Sequence, residues 1–331
     1  MIGSHLRKLS AKGAVLALLL CLMLEGCGAG EHEEVSYPRA HLRKEAESGE
    51  EKKEEEEEEG EEREEPGAAP AEGTEEDAKE KTYTFVDVYQ NSYEAELDPR
   101  IPPCAYDKEL FMKVGSRMTY EGDSRFRYRR GIDVSEFNGE IDWKKVKKAG
   151  VEFVFIRAGY RGYGDHAGLV EDKRFRENLE GASKAGLDIG LYFFSQALTP
   201  EEARQEAEYM VKLLDGRKVS LPLVCDLEHI EFDQARTDDL TPAQASENVR
   251  AFCTRIGELG YRPMFYSNLV WEAFGYELET MTEIPIWYAD YEARPQTPYR
   301  FSIWQYSCQG QVDGIPSGVD LDIELIPADG E

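Results

Sequence analysis

The chain of 331 residues lacks the sequence features that are typical of several common protein classes. Its five histidines show no ligand spacing and no Cys-x-x-Cys pair occurs, so the sequence predicts neither a metal site nor a cofactor. No basic stripe is available to neutralise phosphates, and nucleic acid is therefore not an expected partner. The apolar run 14–24 is too short to span a bilayer stably.

The first 27 residues have the pattern of an export signal. Basic residues precede the apolar run, which has the size of a signal-peptide core. The run ends in Leu24-Glu25-Gly26-Cys27, which resembles the lipobox of bacterial lipoproteins, although a glutamate is unusual at the second of these positions. We predict lipidation of Cys27, a membrane tether through that lipid, and a location outside the cytoplasm. A plain secretory signal is the alternative.

Residues 28–81 are predicted to be a disordered acidic tether. Between 31 and 81 the chain has 22 acidic against 8 basic side chains and hardly any large apolar residue. Such a segment cannot bury enough surface to offset its ordering entropy, and its like charges extend it. This tract accounts for half of the net charge of −28, so the overall acidity says little about the folded part.

Aromatic and aliphatic residues return from about residue 82, leaving about 250 residues for one large core. We predict an arm over 82–130, packed on a main domain over 131–331. Four cysteines remain here: Cys104, Cys225, Cys253 and Cys308. A core of this size needs no disulfides, so buried thiols are expected, although Cys253 could reach Cys225 from the following helix.

Strand and helix patterns alternate after residue 131. Helical patterns occupy the early gaps, at 142–149, 172–185, 200–214 and 242–259, whereas 291–300 is rich in turn signals. The fold class predicted is α/β, an irregular (β/α) barrel of eight strands with several helices missing in its second half. The candidate strands are 131–135, 152–158, 188–195, 221–226, 262–267, 284–289, 301–306 and 319–323.

Two carboxylates, Asp226 and Glu228, close the apolar strand that begins at Leu221. Side chains alternate along a strand, so both point the same way, with Cα atoms roughly 6–7 Å apart. Ligands of barrels sit at the carboxyl ends of strands, and cleavage of a glycosidic bond requires paired carboxylates. The alternative is an ordinary strand-to-helix turn with a solvated Glu228.

Polar or aromatic residues stand at or just past the carboxyl ends of the other strands as well. Because these ends converge in a barrel, we expect one acidic cup with aromatic faces, which suits a sugar chain. The residues expected there are Asp133, Tyr192, Tyr266, Trp287, Asp290, Trp304, Gln305 and Asp320, with Asp322 beside the last of them.

Five motifs, in this order and spacing, resemble glycoside hydrolase family 25, the lysozymes of the 1,4-β-N-acetylmuramidase type. The resemblance implies an irregular β/α barrel in which Glu228 is the general acid, Asp226 its catalytic partner, and Asp133 and Asp320 further acids of the cup. The chain departs from the pattern at Arg157 to Gly162, at Phe193 and at Asp322. The motifs are Asp133-Val134-Ser135-Glu136-Phe137-Asn138-Gly139, Asp226-Leu227-Glu228, Trp287-Tyr288-Ala289-Asp290, Trp304-Gln305-Tyr306 and Val319-Asp320-Leu321.

These observations predict a monomeric muramidase that hydrolyses the β-1,4 bond from N-acetylmuramic acid to N-acetylglucosamine in peptidoglycan glycan strands. One alternative is an endo-N-acetylglucosaminidase or chitinase-like barrel. Barrels resembling chitinase family 18 carry a further Asp two residues before the first acid, where this chain has Val224. A non-catalytic cell-wall-binding barrel is the other alternative, but a binder needs neither Asp226 nor Glu228.

Overall fold

The computed structural model describes residues 81–162, 167–230 and 235–328. The predicted signal, Cys27 and nearly all of the predicted tether lie outside these residues. No helix within the described ranges is long and apolar enough to cross a membrane.

Two antiparallel hairpins make up most of the arm that precedes the barrel. The first pairs β1 (Thr82–Val86) with β2 (Ser92–Glu96), and the second pairs β3 (Phe111–Val114) with β4 (Arg117–Tyr120). Alternate side chains of both hairpins, such as Phe85 and Met118, are buried against the rest of the chain. The arm therefore shares its apolar core with the barrel.

Eight strands close into a barrel, as predicted. Neighbouring strands are parallel around the circle except for the last strand, which runs antiparallel to both of its neighbours. A short strand, β7 (Leu169–Glu171), extends the sheet beside the second barrel strand. The barrel strands are β5 (Phe126–Val134), β6 (Phe153–Arg161), β8 (Asp188–Phe194), β9 (Leu223–Asp226), β10 (Pro263–Asn268), β11 (Ile286–Ala289), β12 (Ile303–Gly310) and β13 (Val319–Pro327).

The described residues in the first half of the barrel form four α-helices: α1 (Trp143–Lys148), α2 (Phe175–Ala185), α3 (Pro200–Leu214) and α4 (Pro242–Glu258). The described connections after β10, β11 and β12 contain only short helical turns and loops. The prediction that the second half lacks several helices is therefore confirmed.

Local capping chemistry sets the helix ends. The Thr241 hydroxyl accepts the Gln244 backbone N–H, and the Gln244 side chain accepts the Thr241 N–H, which is a full capping box. At α3 the Thr199 hydroxyl accepts the Glu202 N–H, but Glu202 reaches back one residue further, to the Leu198 N–H. The capping box of α3 is thus only half formed.

The barrel interior is filled by large side chains that glycines accommodate. Phe155 stacks on Trp287 with ring centroids 4.7 Å apart. A Cβ at Gly190 would lie 2.3 Å from the Phe155 ring, and one at Gly131 would lie 2.1 Å from Phe153. Only glycine leaves room for these rings, so the barrel is closed by a packed floor and any cup must lie above it.

All four cysteines of the described ranges are free thiols. Cys225 and Cys253 are buried, as predicted, whereas Cys104 and Cys308 are half-buried. Cys225 faces the helix layer because it alternates with Asp226 along β9.

Candidate active site

Alternation along β9 directs Asp226 into the barrel above Val224, whose side chain is part of the packed floor. Asp226 is 5% exposed, and its Oδ1 atom has no hydrogen-bond partner among the described residues. Burial raises its pKa well above the ordinary range for aspartate, and the charges of Glu228 and Asp133 raise it further. Asp226 thus presents an unused acceptor in a desolvated site.

Glu228 lies just past the end of β9 and is partly exposed, so an incoming ligand can reach it. Burial and the charge of Asp133 raise the pKa of Glu228 to about 7. The positive charge of Arg157 acts in the opposite direction. A carboxyl group with this pKa is protonated in a large fraction of molecules near neutral pH, as a general acid must be.

Asp133, on β5, is held by an amide whose orientation is set by two phenols. The Gln305 Nε2 group donates to Asp133 Oδ2 at 2.7 Å. Gln305 Oε1 in turn accepts the Tyr266 hydroxyl at 3.1 Å and the Tyr291 hydroxyl at 2.9 Å. Burial raises the pKa of Asp133 to about 7, and the Gln305 hydrogen bond lowers it. The structure therefore brings Asp133, Tyr266 and Gln305 together, as the sequence predicts.

The indole of Trp287 lies in the floor and is 1% exposed. Its Nε1–H donates to Asp322 Oδ1 at 2.9 Å, and its ring meets the edges of Tyr192 and Tyr266 at 5.9 and 5.2 Å. Burial and the charge of Asp133 raise the pKa of Asp322 well above the ordinary range. Trp287 therefore supports the cup from below, and Tyr192, which is partly exposed, lies nearer to solvent.

Asp320 lies at the rim of the cup, but at the opposite end of its strand from the one expected. It was expected at the carboxyl end of its strand, but β13 is antiparallel, so Asp320 lies near the amino end. The reversed direction still brings the residue to the same rim, because Asp320 pairs in register with Asp133.

The structure does not bring Trp304 and Asp290 into the cup. Trp304 lies on the opposite face of β12 from Gln305 and is fully buried against Phe111 of the arm, at a ring distance of 5.1 Å. The Asp290 carboxylate accepts hydrogen bonds from its own loop, including the Tyr288 hydroxyl at 2.7 Å. Both positions thus face the arm side of the barrel wall.

Two residues near the acids were not predicted as part of the site. Tyr291 follows the predicted Asp290 directly, and that position was the only sequence signal for it. Arg157 is buried, donates to Asp172 at 2.8 Å and to Glu136 at 3.3 Å, and lies 4.9 Å from the Phe137 ring. Its charge favours the ionised forms of Asp226 and Glu228.

Among the described residues, no group of three or more His, Cys, Asp or Glu side chains has the geometry to hold a metal ion. The donors described around the acids of the cup are the Gln305 amide, the Trp287 indole and the Tyr266 and Tyr291 phenols.

The family model for glycosyl hydrolases family 25 matches residues 132–315, which is more than half of the chain. The chain belongs to glycosyl hydrolase family 25. The match begins within β5 and includes Asp133, Asp226 and Glu228, whereas the arm lies before it.

Two curated relatives carry the name lysozyme. The autolytic lysozyme of Clostridium acetobutylicum is 30% identical over 195 residues, covering 58% of this chain and 55% of that protein. Lysozyme M1 of Streptomyces globisporus is 29% identical over 245 residues, covering 67% of this chain and 81% of that protein. The chain thus spans about half of the length of the first of these two relatives.

A solved structure shares the fold. The modular autolysin LytC of Streptococcus pneumoniae, determined in complex with a synthetic peptidoglycan ligand, superposes with a TM-score of 0.54 at 19% identity. The superposition covers 74% of this chain and 57% of that one.

Proposed function

We propose that this family 25 protein is a muramidase that hydrolyses the β-1,4 bond from N-acetylmuramic acid to N-acetylglucosamine in peptidoglycan. The observation that carries the proposal is the cup itself, where Asp133, Asp226 and Glu228 share a desolvated pocket and Glu228 has a pKa of about 7. The names of the two lysozyme relatives support the same substrate class.

Glu228 is the proposed general acid. It donates its proton to the glycosidic oxygen as the bond from that oxygen to the anomeric carbon breaks, so the leaving sugar departs as a neutral alcohol. Partial exposure lets Glu228 reach the substrate, and its raised pKa keeps the proton available. After departure of the leaving group, the Glu228 carboxylate takes a proton from the attacking water and returns to its starting form.

Asp226 is the proposed partner of the substrate's 2-acetamido group. The carbonyl oxygen of that group attacks the anomeric carbon intramolecularly, at high effective concentration, and a positive charge develops on its nitrogen. The unused Oδ1 atom of Asp226 is available to accept the acetamide N–H. The developing charge favours ionised Asp226, so the interaction is stronger in the transition state than in the ground state. Water then opens the cyclic intermediate, with net retention.

Digestion of purified peptidoglycan tests the reaction and the bond. A new reducing-end N-acetylmuramic acid, identified by mass spectrometry, is the expected product. A reducing-end N-acetylglucosamine would instead indicate a glucosaminidase, and glycan binding without release would indicate a binding barrel. Either result contradicts the proposal.

The stereochemistry of the first product tests the role of Asp226. NMR spectra recorded in the first minutes of digestion should show the β anomer, before mutarotation. An initial α anomer would mean inversion and would replace substrate assistance with a water activated by Asp133 or Asp320.

We also propose that lipid on Cys27 holds the protein at the outer face of the cell membrane, with the acidic residues 28–81 as a spacer. A diacylglyceryl-modified cysteine carries enough buried methylenes to retain a soluble domain. Cys27→Ser should move the protein from the membrane fraction to the medium, whereas Cys21→Ser, within the predicted signal, should not. Unchanged fractionation of Cys27→Ser would rule out the lipid anchor.

A further inference from the structure

The arm is bonded to the loop that replaces the missing helix between β11 and β12. The side chain of Gln296 pairs with the backbone of Val86, accepting its N–H at 2.9 Å and donating to its carbonyl oxygen at 3.0 Å. Nearby, the Cys104 N–H donates to the Pro298 carbonyl oxygen at 2.7 Å. A loop without its own helical hydrogen bonds is thus ordered by backbone groups of the arm.

Gln296 also fixes the beginning of this loop. Its backbone N–H donates to Asp290 Oδ2 at 2.9 Å and its Nε2 donates to Asp290 Oδ1 at 3.1 Å. The Tyr288 hydroxyl and the Glu292 N–H donate to the same carboxylate, at 2.7 and 3.1 Å. The Asp290 carboxylate therefore holds the loop through these hydrogen bonds, and Gln296 connects the carboxylate to the arm.

The next residue carries the connection into the cup. The Tyr291 hydroxyl donates to Gln305 Oε1 at 2.9 Å, and Gln305 Nε2 donates to Asp133 Oδ2 at 2.7 Å. The strand that holds Gln305 is tied to the same point, since the Asp290 N–H donates to the Gln305 carbonyl oxygen. Hydrogen bonds therefore connect Val86 with Asp133, joined at one point by the peptide bond between Asp290 and Tyr291.

We propose that the arm is a positioning element of the active site and that Tyr291 and Gln296 are positioning residues which hold Gln305 with its NH₂ group toward Asp133. This inference rests on the proposed function for its effect on catalysis. The arm precedes the segment matched by the family model, whereas Tyr291, Gln296 and Gln305 lie within it.

The Gln305 side chain needs such positioning because its amide group could turn either its oxygen or its NH₂ group toward Asp133. Two phenol donors at Oε1, from Tyr266 and Tyr291, favour the orientation in which the NH₂ group faces Asp133. In the reversed orientation an oxygen would face the carboxylate, which would have to take up a proton or move away. Loss of the Tyr291 hydroxyl removes half of this preference, and loosening of the loop removes the precision with which that hydroxyl is placed.

The test compares Tyr291→Phe and Gln296→Met with the wild type. Both substitutions keep the side-chain size and delete the hydrogen-bonding group. Arg117→Ala is the matched control, because Arg117 forms a different bond from arm to barrel, to the Ala149 carbonyl oxygen at 2.8 Å. We expect kcat to fall about tenfold in both variants, with KM changed less than twofold, and the control to match the wild type.

A further readout separates positioning from simple loss of stability. The pKa of Asp133, followed by ¹³C NMR of labelled aspartate, should rise in both variants because the Gln305 hydrogen bond lowers it. The ionisable groups that face Asp133 are Asp226, Glu228, Asp322, Tyr192, Tyr266 and Tyr291; burial raises the pKa of the three tyrosines well above the ordinary value, so they stay neutral in this titration.

Double substitution gives the sharpest outcome. If the arm acts through Tyr291, combining Tyr291→Phe with Gln296→Met should cost less than the product of the single effects. An Asp133 pKa that is unchanged in both variants would overturn the inference, and so would kcat values equal to that of Arg117→Ala. If the wild type itself fails to cleave peptidoglycan, the proposed function fails, and the NMR titration still decides the role of the arm.

Discussion

Glu206 and Glu228 are both glutamates whose pKa burial raises to about 7, yet they lie in different surroundings. Glu206, on α3, is fully buried; Arg161 donates to it at 2.7 Å and the Ser195 hydroxyl at 2.6 Å. Glu228 is partly exposed beside two other acids. A raised pKa therefore does not distinguish a structural carboxyl group from a chemical one, whereas solvent access and the nature of the partners do.

The same contrast separates Asp172 from three acids of the cup. Asp172, like Glu206, is paired with an arginine, Arg157. The acids of the cup have weaker donors, an amide for Asp133 and an indole for Asp322, and one oxygen of Asp226 has no partner among the described residues. Paired acids stabilise the barrel wall, and the acids of the cup retain capacity to bind and to exchange protons.

The largest effect is expected from Glu228→Gln. It should lower kcat by about 10²–10⁴-fold, because proton transfer to the leaving oxygen is lost, and leave the melting temperature nearly unchanged. Glu206→Gln is the matched control and should keep most of the activity at temperatures where it is folded. If Glu228→Gln retains a quarter of the wild-type rate, the general acid has been misassigned.

The second largest effect is expected on the free energy of unfolding, and it concerns Glu206, the acid that is paired with an arginine. Arg161→Met should lower the free energy of unfolding by about 3–5 kcal/mol, since it leaves Glu206 buried without its cation. The measurement is denaturation in urea at pH 7.5. Arg255→Met, which breaks exposed ion pairs to Glu208 and Glu258, should cost far less, because solvent screens these pairs. Equal losses of unfolding free energy for the two arginine variants would mean that the buried pair is no more important to stability than the exposed pairs.

The cup around Glu228 and the surroundings of Glu206 also show which contacts a sequence can predict. The acid pair at the end of β9 is local, because period-2 alternation and the apolar run before it locate Asp226 without any tertiary information. Glu206, Arg161 and Ser195 come from α3, β6 and the end of β8, so only the folded chain brings them together. Tyr291 was missed for the same reason, since its partner lies 14 residues away on another strand.

Some errors were avoidable from the sequence. Trp304 and Gln305 are neighbours on one strand, so only one of them can face the barrel interior. The side chain that faces inward is that of Gln305, and Trp304 packs against the arm. The direction of β13 was not predictable from its own residues, because an antiparallel last strand depends on the length and path of the loop before it.

The third effect concerns the pH dependence of the rate. Glu228 must be protonated to act as the acid, so kcat/KM should fall about tenfold per pH unit once the pH exceeds its pKa of about 7. Removal of the nearby cation by Arg157→Met should move this alkaline limb to higher pH, because Arg157 lowers the pKa of Glu228. A limb that stays in place would mean that Arg157 does not act on Glu228 through its charge.

The smallest effect is on the stability of the cup floor. Asp322→Asn keeps an acceptor for the Trp287 N–H and replaces Oδ2, an atom without a partner among the described residues, with a neutral group. The folded-state pKa of Asp322 is raised, so the native state binds more protons than the unfolded state above pH of about 4. The stability that Asp322 contributes is therefore present at acid pH and lost as the pH rises through its folded pKa.

Asp322→Asn removes that dependence. The variant should match the wild type near pH 4 and exceed it increasingly toward pH 8, by about 1 kcal/mol or a few degrees in melting temperature. Glu206 also has a raised pKa, but Arg161 and the Ser195 hydroxyl lower it, so any gain of Glu206→Gln toward pH 8 should be smaller than that of Asp322→Asn. Thermal melts of both variants at pH 4.5, 6 and 8 decide the matter. If the advantage of Asp322→Asn did not grow with pH, burial would not disfavour the ionised form of Asp322. The cup and the Glu206–Arg161 pair would then not differ in the cost of a buried charge.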